Sequence, residues 1–278
     1  MKERVLITVK TYPTLSRKYA ELVCTAGVNE QGEWRRIYPV QFRQLNAESA
    51  YKKFQWVEAE LEKSPTDKRP ETFKVRDQQQ IRLIGSPLST AEGWQLRRKH
   101  FVDKVNCHHD LDDLIESAHA NDISLALFQP TRWLAFVVED AEREWDSGRL
   151  AALEAERSQA DLFKDQARVE HDFSVVRKLP YKFSYRIEDE RGKISKMMVE
   201  DWEIGALYWN CLSRADGDEA VALAKVREKY WNTFVGNSAL NTQLILGTTL
   251  EHHNKKAPNP FVIVGVLPLP SNYQPHLI

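Results

Sequence analysis

The residues best suited to recognition chemistry lie in one short run, Trp34-Arg35-Arg36-Ile37-Tyr38. In a strand successive side chains alternate faces, so Trp34, Arg36 and Tyr38 share one face while Arg35 and Ile37 share the other. Two aromatic planes beside a guanidinium can stack bases and neutralise phosphates, which is the chemistry of a single-strand binding platform. Lys10, Tyr12, Arg17, Lys18 and Arg43 are placed to extend that face, with Arg35 beside it. The competing reading packs Trp34 and Tyr38 into a core and lets Arg36 snorkel to solvent.

Catalytic chemistry finds less support. The chain has no phosphate-binding Gly-x-x-x-x-Gly-Lys-Ser/Thr loop, no Gly-x-Gly-x-x-Gly, no Gly-x-Ser-x-Gly elbow and no His-Glu-x-x-His helix. No lysine has an acidic residue two positions before it, the strand spacing many metal-dependent nucleases use. The pairs His108-His109 and His252-His253 cannot by themselves converge on one metal, because adjacent side chains diverge in either secondary structure. Cys24, in an apolar run, reads as an inert buried thiol. No cofactor and no metal are therefore expected. An enzyme remains the competing class, a nuclease or base-modifying hydrolase whose acids, such as Glu58, Glu60, Glu200 and Asp201, would converge only in three dimensions.

The partner chemistry follows from where the charge lies. Overall the balance is −1, but residues 1–105 carry 20 basic and 13 acidic side chains, whereas residues 106–175 carry 6 and 16. The first segment can attract a polyanion; the acidic middle is either a solvated helix or a docking surface for a basic protein partner, a third functional class. No run approaches the roughly 20 apolar residues of a membrane span, the start lacks the apolar stretch of a signal peptide, and three separated cysteines do not suggest a disulfide framework. The expectation is a soluble cytoplasmic protein with no membrane partner.

The elements that must position these residues are strand-rich at the start. Val5 to Lys10 reads as a strand running into Pro13, and Glu21 to Val28 with Trp34 to Tyr38 as a hairpin turning near Gly32. Phe54 to Leu61, Ile81 to Ile84 and Trp133 to Val138 are further strands, and Asp110 caps a helix carrying Leu111, Leu114, Ile115 and Ala118. Glu142 to Gln166, rich in charge and alanine, reads as an exposed helical connector. Beyond it come a hairpin from Tyr181 to Met198 with its aromatics in a core, helices over Trp202–Trp209 and Leu223–Phe234, and buried strands at Thr242–Gly247 and Phe261–Leu267. In the first helix Met198, Trp202, Ala206 and Trp209 share a face. The expected division is a β-rich module over 1–144, a helical acidic connector over 145–172 and an α+β module over 173–278.

Two sets of motifs add a family resemblance. Leu6-Ile7-Thr8-Val9-Lys10-Thr11-Tyr12-Pro13, Glu21-Leu22-Val23-Cys24-Thr25-Ala26-Gly27 and Trp34-Arg35-Arg36-Ile37-Tyr38-Pro39 resemble a family of uncharacterised prokaryotic proteins with a dual OB-fold domain. So do Pro180-Tyr181-Lys182-Phe183-Ser184-Tyr185, Glu200-Asp201-Trp202-Glu203-Ile204-Gly205, Leu246-Gly247-Thr248-Thr249 and Phe261-Val262-Ile263-Val264-Gly265. The resemblance implies an α+β chain with two β-rich, OB-like barrel modules and interspersed helices, binding oligonucleotides in a mobile-element or antiviral setting. Some relatives carry cysteines in the hairpin after the Tyr-Lys-Phe-Ser-Tyr stretch; Ile187 to Lys196 has none, so a zinc ribbon is not expected here.

Overall fold

The computed structural model describes residues 2–15, 21–148, 150–151 and 176–271. Its first half is organised by β1 (Lys2–Lys10), whose apolar run Val5 to Val9 does not alternate with polar residues because both of its faces are covered. Val5 and Ile7 point into one core with Ile37, Val57 and Phe73, whereas Leu6 and Val9 point into another with Ala26 and Val28. The first of these cores is the inside of a barrel. β1 pairs with β3 (Glu21–Asn29), β3 with β4 (Trp34–Val40), β4 in parallel with β6 (Thr72–Val75), β6 with β5 (Gln55–Lys63), and β5 returns to β1. Five strands thus close a ring, to which the two-residue β2 (Thr14–Leu15) and β7 (Arg82–Ile84) are appended. At Gly27 a Cβ would lie 1.9 Å from the Leu6 carbonyl oxygen, so only glycine lets β3 approach β1 this closely.

After the barrel comes α1 (Ala91–His100), in which Glu92, Gly93 and Trp94 have φ of 52°, 64° and 68°. The strands of the second half form two sheets. One has the order β10 (Arg132–Asp140), β11 (Tyr181–Glu188), β12 (Ile194–Met198); the other runs β14 (Phe261–Pro270), β13 (Leu240–Thr248), β9 (Leu125–Phe128), β8 (Cys107–His108). By strand pairing, segment 107–140 therefore belongs with the strands from residue 181 onward rather than with the barrel strands. Helices α2 (Leu111–His119), α3 (Trp202–Arg214) and α4 (Glu219–Arg227) share a core with both sheets, and a π-helical turn, Glu228–Thr233, continues α4. A short α5 (Leu250–Asn254) joins β13 to β14.

The expectation of two barrels is thus met once: among the described residues the second module is two open sheets, touching through the Val199–Ile263 bridge, with helices between them. Asp110 caps α2 as its position indicated, accepting from the Asp112 and Asp113 amides. In α3 the deeply buried residues are Ile204, Gly205 and Tyr208, while the expected face of Trp202, Ala206 and Trp209 is half-buried. Trp202 and Trp209 serve instead as a bridge to the barrel, through Phe42 and Tyr12. Most of the expected connector, residues 152–172, lies outside the described residues. No helix among those described is long and apolar enough to cross a membrane.

Candidate nucleic-acid interface

The outer face of β1 and β3 is not free. Leu6, Val9, Ala26 and Val28 pack against Leu125, Leu127, Ile245, Val262 and Val264, so the four-stranded sheet covers the barrel side toward which Trp34, Arg36 and Tyr38 point. This corrects the expected platform. Arg36 is 2% exposed, its guanidinium donating to the Ser124 carbonyl (2.8 Å) and hydroxyl (3.0 Å) and to Cys24 Sγ (3.5 Å). Burial, and then the neighbouring Arg69 cation, pull its pKa below the ordinary arginine value. Trp34 is half-buried, edge-on to Phe101 at 5.5 Å, and Tyr38 is half-buried beside a cavity between the modules.

The remaining expected contacts are dispersed. Arg35 lies across the Phe73 ring and is spent on Glu3 (2.9 Å) and Glu33 (2.7 Å) at the barrel rim. Tyr12 donates to the Arg177 carbonyl (2.7 Å) and accepts from the Trp209 indole (2.8 Å). Arg43 is exposed on a turn at Phe42–Gln44. Arg17 and Lys18 lie outside the described residues. Of the acids considered for catalysis, Glu58 pairs with Lys2, Glu60 with Arg76 and Asp201 with Lys53, while Glu200 lines the cavity beside Tyr38. Among the described residues no three His, Cys, Asp or Glu side chains are grouped to hold a metal.

Lys10 has become part of the module junction. Its ammonium sits over Phe42 at 3.9 Å and Trp202 at 4.9 Å, near Lys53, which bridges Asp201 and Glu203 at 2.9 Å each. Burial and the Lys53 charge, only partly offset by Glu203 and Asp201, pull Lys10 down to about 8 from its ordinary value of 10.5. Across that window the unfolded chain keeps a proton the folded chain has released, so this group's contribution to stability rises with pH and its penalty is fully present below about pH 8. Lys10→Met is therefore expected to raise the melting temperature relative to wild type most at pH 7, with the gain shrinking toward pH 10.5. Melting curves across that range check it, and a gain growing with pH would contradict it.

What the fold does assemble is a groove at this same junction, to which Lys53 and Glu203 also contribute. It holds a cavity of about 360 Å³ walled by Phe54, Trp94 and Arg97 from the barrel half and by Leu207, Lys229 and Phe234 from the second module. The rings of Phe54 and Trp94 meet edge to face at 6.0 Å; the Arg97 guanidinium lies 4.0 Å from the first and 4.7 Å from the second, and its Nε donates to the Leu88 carbonyl at 2.9 Å. Lys229 Nζ lies 4.9 Å from the Phe234 ring. Lys53 and Glu203 line the same cavity, and the Glu203 carboxylate acts on Arg97 without lying within ion-pairing distance of it; neither Arg97 nor Lys229 forms an ion pair with a carboxylate among the described residues.

Two of the aromatic residues are held on strained backbone, Phe54 at φ 58° and Trp94 at φ 68°. Bulky side chains rarely adopt the left-handed region, and such outliers concentrate where a side chain must be aimed. Further along α1, Arg98 and Lys99 continue the positive charge. The signal in the sequence was Trp94 followed three residues later by Arg97 and a basic run. Lys229 and Phe234, far along the chain, could be joined to it only by the tertiary fold.

These features define a two-module α+β protein with a five-stranded barrel docked on a helix-and-sheet module and a cationic aromatic groove at the seam. The chain belongs to the family described as Domain of unknown function (DUF8757), whose model matches residues 107–277, and residues 1–103 match that described as Domain of unknown function (DUF8758). The gap between the two matches falls where the barrel half ends and β8 begins. No curated protein matches the chain.

Proposed function

We propose that this protein binds nucleic acid, with single strands preferred, through the groove at the module seam. The observation that carries the reading is the convergence of Trp94, Phe234, Arg97 and Lys229 on one open cavity. A nucleotide of a single strand offers a base face for stacking and a backbone phosphate for a cation, whereas a duplex would have to unstack to use the rings. The barrel supports the reading as well. Its order, a three-strand meander closed by a parallel pair between the third and fifth strands, is that of an OB-like barrel, a fold that often binds oligonucleotides. The barrel face over β3 and β4 is covered and takes no part in this reading.

Anisotropy with labelled single-stranded and duplex DNA and RNA at two salt concentrations tests this. Affinity is expected to be greatest for a single strand and to fall with salt, because Arg97, Lys229 and their neighbours displace counterions from phosphates. Absence of binding to all four at low salt, or binding indifferent to salt, would refute it.

A further inference from the structure

Arg36 and Arg69 bring two guanidiniums to the wall of a second cavity, of about 170 Å³, between the barrel and the four-stranded sheet. They are 2% and 5% exposed. Arg69 has a partner, Asp67, at 2.5 Å. Arg36 has no carboxylate within ion-pairing distance among the described residues. Glu71 accepts from the Ser124 amide and hydroxyl, and the Arg36 guanidinium bonds to Ser124 in turn. The Arg36 Nε–H and the Thr248 hydroxyl, both buried and both on cavity-lining residues, lack hydrogen-bond partners. A buried cation without a counter-ion and a buried donor without an acceptor each carry a cost that an anionic ligand would remove.

The rest of the wall narrows the ligand. Tyr38 and Thr249 add hydroxyls, Glu200 adds a carboxyl, and Leu22, Leu250 and Val262 add apolar surface. Burial raises the pKa of Glu200. The wall is thus rich in donors. A carboxylate offers two oxygens and one charge, while a phosphoryl group offers three oxygens and up to two charges, the better match to two guanidiniums and several hydroxyls. We propose that this cavity is a site for a phosphoryl group, carried by a free mononucleotide or by the terminal phosphate of a strand. The site does not depend on the groove for its chemistry.

The test uses the full chain and four probes: inorganic phosphate, AMP, and one oligonucleotide with either a 5′-phosphate or a 5′-hydroxyl. Phosphate and AMP are expected to raise the melting temperature, and acetate at equal concentration and ionic strength is not. A 5′-phosphorylated strand binding at least about tenfold tighter than its 5′-hydroxyl form would identify the strand end as the source; a gain with AMP and none from the 5′-phosphate would identify the free nucleotide. The 5′-hydroxyl strand reports the groove alone, so failure of either site is read separately.

Arg36→Met is expected to abolish the phosphate-dependent shift while leaving the ligand-free protein as stable or more so, since it removes an uncompensated buried charge. Should that variant not fold, Tyr38→Phe keeps the ring and removes one hydroxyl, and is expected to weaken phosphate binding several-fold. No response of the wild type to phosphate, AMP or the 5′-phosphate, or an equal response to acetate, would overturn the proposal.

Discussion

Trp94→Ala is expected to weaken single-strand binding by about 1–3 kcal/mol, roughly five- to 150-fold, because a stacking ring is lost from the groove. The loss of stability should be smaller than for a core tryptophan, since Trp94 is half-buried and touches Phe54 by an edge. Trp94→Phe, which keeps a ring face, should recover most of the affinity. Arg97→Ala should weaken binding to all sequences alike and lower the salt slope by about one. Trp34→Ala supplies the opposite pattern: its ring packs on Phe101, so the melting temperature should fall while the protein that remains folded binds as before. Anisotropy titrations paired with thermal melts decide the matter, and Trp34→Ala losing affinity without stability would return the contact surface to β4.

The contrast between Trp34 and Trp94 shows what a linear sequence can and cannot disclose. Alternation along Trp34 to Tyr38 separates Ile37, which lies inside the barrel, from Trp34 and Arg36, which lie on its outer side. Period-two patterning, however, reports only which residues share a face, not what lies against it. The clue was in β1, where Val5, Leu6, Ile7 and Val9 put apolar side chains on both faces and so required cover on both sides. Strand β9 escaped for a related reason: Leu125 to Phe128 is four buried residues with no polar alternation, and so short a run has no period to read. Strand β6 pairs in parallel with β4, a relation created by closure of the ring rather than by a local turn. The cap of α2 was legible, because Asp110 acts on amides two and three residues away. The groove was half legible, as Trp94 and the basic run are local, but the left-handed turn aiming Trp94 carries a glycine at only one of its three positions.

The module seam that shapes both cavities makes a prediction in which one substitution changes sign. Gly205 faces the Tyr12 ring, and a Cβ there would lie 2.3 Å and 2.4 Å from two ring carbons. The ring has little room to retreat: its hydroxyl is held by Arg177 and Trp209, and its backbone amide donates to the Glu200 carbonyl at 2.9 Å. Gly205→Ala is therefore expected to destabilise by about 1–3 kcal/mol, the usual cost of overpacking, despite the higher helix propensity of alanine. At roughly 2–4 °C per kcal/mol for a chain of this size, melting should shift by several degrees. In a Tyr12→Ala background the ring is gone, only the flexible end of Leu179 remains close, at 3.2 Å, and the propensity term persists, so the same change should stabilise, by up to about 1 kcal/mol. A thermal-melt cycle of the four proteins measures the coupling, and equal effects of Gly205→Ala in both backgrounds would show that the seam yields freely. Tyr12 follows the first barrel strand and Gly205 lies in α3, so a strained seam also displaces Leu207 and the groove wall it belongs to. Gly205→Ala should accordingly reduce single-strand affinity together with stability, which distinguishes it from Trp94→Ala.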